Sequence, residues 1–407
     1  MEQSPEVAEF DERIASPGWV ETPGGIAVTG DLECGSAADI RVSGPLQVSL
    51  APGEDRVPHE VQVKGPISCY NVCLLLESRA DLAVDAQIEV RIPHWLTQAG
   101  FDYFLRKPYL TCRAGGDPAR ALLDWEEIPP DRQRATDATV ELAVTLGPGE
   151  RRVLSTVAHY PWTSCCERME GIAARHDGWL LREIGKSLHA RPILSLEAGD
   201  PSAPRAVFTG TLQPGEPSAW GVLAMAEAAL KDKPRWLDHY RLCFVPQTNP
   251  DGIVLGRCNV NAADEMAAFG FEEAAQGRPC ARESEVLWQY LAADPPVVYV
   301  DFHFLRLPNH PLPKPYFFDQ AIYRERSRAN AAVRLNRALM ALNGVEQPYA
   351  VPVGHEMWRR LASYQAAAQL DTVSFLYQYT GPTTSYKGAQ QRGPEVMRAA
   401  LEACAGL

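Results

Sequence analysis

Val297-Val-Tyr-Val-Asp-Phe-His-Phe304 opens with four β-branched or aromatic residues and turns polar only toward its end, at Asp301 and His303. Such a run reads as a buried strand, and residues two apart on a strand point to one face. Three more runs share the pattern: Ala206-Val-Phe-Thr-Gly210, Arg241-Leu-Cys-Phe-Val-Pro-Gln247 and Thr372-Val-Ser-Phe-Leu-Tyr-Gln-Tyr-Thr-Gly381. Between and after them, windows 219–232, 283–292, 323–344 and 394–404 carry the spacing of helices. Single strands alternating with helices build a mixed, largely parallel sheet with helices on both faces, an α/β fold. Ligands of such sheets bind at the carboxyl ends of the strands, where Asp301 and His303 fall. The Pro-rich stretch 308–319 reads as a surface loop near that end.

Upstream of about Tyr160 the texture is different. From Gly18 to Val157 short apolar runs are punctuated by Gly and Pro, with a period of two in Val61 and Val63 and in Val140, Leu142 and Val144. This predicts an antiparallel β-sandwich domain over 1–160, ahead of the α/β domain over 161–407.

A chain of 407 residues with 46% apolar content is long enough for two such units. Its 39 basic and 51 acidic residues give −12, without a long run of one sign, which argues against nucleic acid or an anionic membrane as partner. No uninterrupted apolar run of about 18 residues occurs, and the first residues are acidic and polar rather than basic and apolar. The expectation is a soluble, cytoplasmic protein whose ten cysteines are mostly reduced. Cys69 and Cys73 form no Cys-x-x-Cys pair and read as buried filler.

Beside the strand 297–304, three segments bear chemistry. Thr209-Gly-Thr-Leu-Gln-Pro-Gly-Glu-Pro-Ser-Ala-Trp220 is a strand end, a Pro-Gly turn and a helix start, with Gln213 and Glu216 on one loop. Read alone, it is a connection with a carboxylate favourably placed near a helix N-terminus. Phe244-Val-Pro-Gln-Thr-Asn-Pro-Asp-Gly252, followed by Arg257-Cys-Asn-Val-Asn-Ala-Ala-Asp264, holds a strong turn signal. The fourth segment, around Gln378, ends a strand in polar residues.

In this order the four segments resemble the zinc metallocarboxypeptidase family, in particular its cytosolic-carboxypeptidase branch. That family carries His-Pro-Gly-Glu, Asn-Pro-Asp-Gly, a strand ending in Asp-x-His, and a late strand bearing a glutamate. Here the matching residues are Gln213-Pro-Gly-Glu216, Asn249-Pro-Asp-Gly252, Asp301-Phe-His303 and Tyr377-Gln-Tyr379. Arg182 to Arg191 is similar to the opening segment of the family's catalytic domain, and Tyr160-Pro-Trp-Thr163 to the junction between the branch's two domains. The resemblance implies a carboxypeptidase-like α/β domain preceded by a β-sandwich. It also implies a zinc ion on Gln213, Glu216 and His303, with Gln378 in the place of the general base.

Two of those four positions depart from the family. A carboxamide oxygen is a weak donor to zinc where an imidazole nitrogen is a good one, so zinc is expected to be held weakly or not at all. A carboxamide also has no proton-accepting pKa, and general base catalysis is worth roughly 10²–10⁴-fold, so Gln378 cannot supply it. A third departure concerns the substrate. The family's Asp-Leu-Asn-Arg, whose Asn-Arg pair clamps a terminal carboxylate, is matched by Asp264-Glu-Met-Ala267, which contains no cation. Arg257 matches the arginine that polarises the scissile carbonyl. Asp264, Glu265, Asp301, Tyr377 and Tyr379 are the expected substrate contacts. His310, His355 with Glu356, and Tyr386 offer substitute groups, although no spacing ties them to the Gln213 loop.

Two readings follow. One is a divergent enzyme acting on a peptide or amide through altered chemistry, motivated by replacement with Gln rather than with apolar residues. The other is a non-catalytic peptide-binding protein of the same fold, motivated by loss of a ligand, the base and the clamp together.

Overall fold

The computed structural model of the chain describes residues 18–53, 71–99, 105–106, 108–114, 124–232, 236–304, 314–346, 350–351, 356–379 and 386–407. In its first part, Thr139–Leu146 buries Val140, Leu142, Val144 and Leu146 and turns Glu141 and Thr145 to water. It pairs antiparallel with Val84–Arg91, whose Ala86, Ile88 and Val90 face the same core. These strands belong to a five-stranded sheet with Ala37–Gly44, Gln47–Pro52 and Gln133–Ala135. A six-stranded sheet runs in the order Val20–Glu21, Ile26–Thr29, Cys73–Ser78, Arg151–Ser155, Leu110–Arg113, Glu126–Glu127. Ile26, Val28, Leu74 and Leu76 of this sheet share one core with Val48, Leu50, Ile88 and Val90 of the other. One pair departs from the antiparallel expectation, because Gln47–Pro52 lies parallel to Val84–Arg91. The expected run around Val61 and Val63 lies outside the described residues, as does Cys69. The nine cysteines among the described residues are free thiols.

The opposite face of the six-stranded sheet is also apolar. Cys73, Leu75, Leu110, Cys112 and Val153 join Phe208, Trp220, Phe244 and Phe302 of the second half in a single core.

That second half is built on an eight-stranded mixed sheet. Four central strands run parallel in the order Arg241–Val245, Arg205–Gly210, Val298–Phe304, Val373–Tyr379. Trp179–Lys186 and Pro192–Ala198 extend one side antiparallel, and Lys314–Phe318 and Ala350–Val351 extend the other. The helices Ala219–Lys231, Arg326–Asn343 and Tyr386–Ala403 pack on the face of Phe302, Phe375 and Tyr377. Arg282–Ala293 and Ala362–Leu370 pack on the face of Tyr299, Val207 and Cys243. The stretch expected as a Pro-rich loop contains the strand Lys314–Phe318. Its aromatics outweigh the prolines: Tyr316 meets Trp358, Phe317 stacks on Phe375, and Phe318 meets Tyr364 edge-on. Among the described residues no helix is long and apolar enough to cross a membrane.

Candidate functional site

Val298–Phe304 and Val373–Tyr379 pair in parallel with His303 opposite Gln378, so both side chains leave the same face at the carboxyl end of the sheet. The Gln213–Glu216 turn follows the neighbouring strand Arg205–Gly210 and reaches the same end. It is clamped from both sides: Gly215 N donates to Cys258 O at 2.9 Å, and the Asn71 side chain, from the six-stranded sheet's side, donates to Gly215 O at 2.9 Å.

The Asn-Pro-Asp-Gly turn staples these loops together. Asn249 Oδ1 accepts from Gly252 N at 3.0 Å, and its amide nitrogen reaches Leu212 O and Val260 O at 3.4 Å each. A side chain on Gly252 would run into Pro214 and Val260 O, so only glycine lets the two loops close. Asp251 is fully buried and accepts from Ser187 Oγ (2.8 Å), Arg191 Nη1 (2.7 Å) and His189 N (3.0 Å), which ties the turn to the 182–191 segment.

At the centre, His303 is enclosed by carboxylates. Its Nδ1 lies 2.9 Å from Glu216 Oε2, which also accepts from Phe304 N at 3.0 Å. Its Nε2 lies 3.2 Å from Asp301 Oδ2, within ion-pair distance although neither atom has an aligned hydrogen-bond partner. Asp301 is oriented through its other oxygen by Thr209 Oγ1 at 3.3 Å. Burial opposes charge on the imidazole, but Asp301 and then Glu216 outweigh it and push His303 up to about 10. That field favours a proton on the imidazole, shared with Glu216 across the 2.9 Å contact.

The other expected residues divide. Gln213 and Gln378 are both engaged, the first donating from Nε2 to Asn259 Oδ1 at 3.1 Å and the second accepting from Tyr316 OH at 3.0 Å. Arg257 is buried and pairs with Asp264 Oδ1 at 3.1 Å. Glu265 lies within reach of Asn261 Nδ2 at 3.3 Å. Tyr377 and Tyr379 do not join the site. Alternation turns them to the opposite face, where Tyr377 stacks on Phe302 and donates to Asn343 Oδ1 at 3.0 Å, and Tyr379 stacks on Phe304. Tyr386 is buried against Trp220. His310 and His355 lie outside the described residues. Sequence reading missed Asn71, Asn259 and Tyr316. Asn259 sits in a segment singled out there and Tyr316 in the Pro-rich stretch placed near the same end, but neither was given a role, and nothing local marks Asn71.

The donor set can be tested against the zinc that the sequence resemblance implies. Two strong donors, Glu216 and His303, face each other, and the third position is an amide whose nitrogen is held by Asn259 and whose oxygen is a weak donor to zinc. Among the described residues no group of three or more His, Cys, Asp or Glu is arranged to hold a metal. The residues present do not fit a three-ligand catalytic zinc.

No family model and no curated protein matches the chain by sequence. Solved structures match it by fold. A metallo-carboxypeptidase from Burkholderia cenocepacia superposes with a TM-score of 0.71 at 14% identity, over 93% of this chain and 98% of that one. A metallo-carboxypeptidase from Pseudomonas aeruginosa, in complex with (2-guanidinoethylmercapto)succinic acid, gives 0.69 at 16% identity over 92% and 98%. The chain has the metallocarboxypeptidase fold, and the likeness takes in both halves of it.

Proposed function

We propose that the chain is a divergent protein of the cytosolic-carboxypeptidase-like branch. On this reading a β-sandwich over 1–160 precedes a carboxypeptidase-like domain over 161–407. The protein binds a peptide or an amide-containing small molecule at the His303 site without zinc-dependent hydrolysis. The observation that carries this reading is the pair of carboxamides, Gln213 and Gln378, at the two positions where the resemblance calls for a zinc ligand and a base. Asn259 holds the Gln213 nitrogen and Tyr316 donates to the Gln378 oxygen, and neither amide supplies a strong donor or a base.

A second reading is turnover of an amide by altered chemistry. It is favoured by the retention of buried polar groups at these positions, Asp301, His303, Arg257 and Gln378, where carbon would pack more favourably.

Both are tested by incubating the purified chain with a peptide library, with and without added zinc, and following binding and released amino acids. Saturable binding with no release in either condition supports the first reading. Release that does not respond to zinc supports the second. Release that depends on added zinc would overturn the account of the site.

A further inference from the structure

Gln213 and Gln378 flank His303. The strand that bears His303 lies between Arg205–Gly210, which leads into the Gln213–Glu216 turn, and Val373–Tyr379, where Gln378 is the register partner of His303. Glu216 N donates to Gln213 O at 3.0 Å and closes that turn, and the Glu216 carboxylate meets His303 at 2.9 Å.

A carboxamide has donors at one end and an acceptor at the other, and each of these two is held by a neighbour at one end. Asn259 Oδ1 takes the Gln213 nitrogen at 3.1 Å and leaves the oxygen over. Tyr316 OH takes the Gln378 oxygen at 3.0 Å and leaves the nitrogen over. Neither remaining end has a hydrogen-bond partner among the described residues. Gln378 is only 8% exposed, and a donor left without a partner so far from water is costly. Gln213 is partly exposed and opens the pair to solvent. The neighbours thus orient the two amides in opposite senses, an acceptor on one side of His303 and a donor on the other.

A group that completes this pair brings one donor, one acceptor and no net charge. A carboxamide does so. An ester brings acceptors alone and leaves the Gln213 oxygen unmet, and a carboxylate adds a negative charge beside Glu216. Glu216, Asp301 and His303 are at most 4% exposed, so the pair receives the end of a ligand rather than a chain running through. We propose, on the reading of the site as a peptide or amide binder, that Gln213 and Gln378 select a terminal carboxamide: the Gln213 oxygen accepts its N–H and the Gln378 nitrogen donates to its C=O. Asn259 and Tyr316 set this polarity.

The test is an equilibrium titration of the full chain with acetyl-trialanine ending in carboxamide, methyl ester or carboxylate, with acetyl-Ala-Ala-Gln methyl ester beside them and the peptide library as reference. The carboxamide should bind about fivefold or more tighter than the ester, because only it donates to Gln213, and the carboxylate should bind weakest. Gln213→Leu removes the acceptor and should close the gap between carboxamide and ester; the residue is partly exposed, so the fold is not at stake. Tyr316→Phe keeps the ring against Trp358 but frees Gln378 to turn. It should weaken carboxamide and ester alike by about threefold, with the gap intact. Acetyl-Ala-Ala-Gln methyl ester that binds as the carboxamide does makes a side chain a source of the group, and one that binds as the ester does restricts the source to a chain end; either supports the proposal. A carboxamide no tighter than the ester, or a gap that survives Gln213→Leu, overturns it and leaves peptide binding standing. Library peptides that bind where none of the four probes does overturn it in the same way. If the library does not bind either, the peptide reading fails and takes the proposal with it.

Discussion

Gln213 and a histidine differ in what they offer a metal, a hard amide oxygen against a borderline imidazole nitrogen. Gln213→His should therefore raise zinc affinity roughly tenfold or more, read by competition with a chromophoric chelator. No rise would mean that the contact between Glu216 and His303 outlasts the new ligand. Glu283 yields a second prediction at this scale. Its carboxyl is raised from 4.5 to about 7, so between those values the folded chain binds more protons than the unfolded one, and stability falls as pH rises. The full effect is about 3 kcal/mol. Glu283→Gln keeps an acceptor for Asn261 and should leave the chain more stable than wild type at pH 8 and near wild type at pH 4.5, read from denaturant midpoints. His159, held down to about 4 by burial, loses stability in the other direction as pH falls, so the variant rather than the wild-type profile isolates Glu283. Glu216 and His303 were legible in the sequence because each motif is short and contiguous. Asn71 and Tyr316 were not, because their partners Gly215 and Gln378 lie 144 and 62 residues away.

The elements that carry the site announce themselves through long apolar runs, and those that frame it do not. Trp179–Lys186 exposes Arg182, Glu183 and Lys186 at a sheet edge, which erases any alternation. The tyrosines beside Gln378 were misplaced for the opposite reason: the run 373–379 is buried on both faces, so its composition does not reveal which residues face the site. The connection after Asn249-Pro-Asp-Gly252 is a frame of this kind. Gly256 has φ +71° and a Cβ there would meet Gly35 O of the N-terminal part. Gly256→Ala should cost about 2 kcal/mol or more from the left-handed backbone and the displaced loop together, seen as a lower melting temperature. A stability equal to wild type would mean that the two loops are not in contact in solution.

For the whole molecule, the decisive feature is the core shared by Cys73, Leu75 and Val153 with Phe208, Trp220 and Phe244. A boundary near Tyr160 is visible in the change of texture, but an apolar outer face on the six-stranded sheet is not, because its residues alternate with the inner set on the same strands. A fragment of residues 161–407 should expose this surface and aggregate, while the full chain unfolds in one transition. Light scattering and calorimetry check both outcomes, and a soluble, cooperatively folding fragment would contradict them.

The position of Val373–Tyr379, between Val298–Phe304 and Lys314–Phe318, also bears on how the chain is made. Synthesis delivers both neighbours first and the middle strand last. Until residues 373–379 emerge from the ribosome, the strand bearing His303 has an open edge, with its backbone donors and acceptors unpaired. The nascent protein therefore carries an adhesive edge while residues 305–379 are being made, and this interval is when a chaperone would have most to protect.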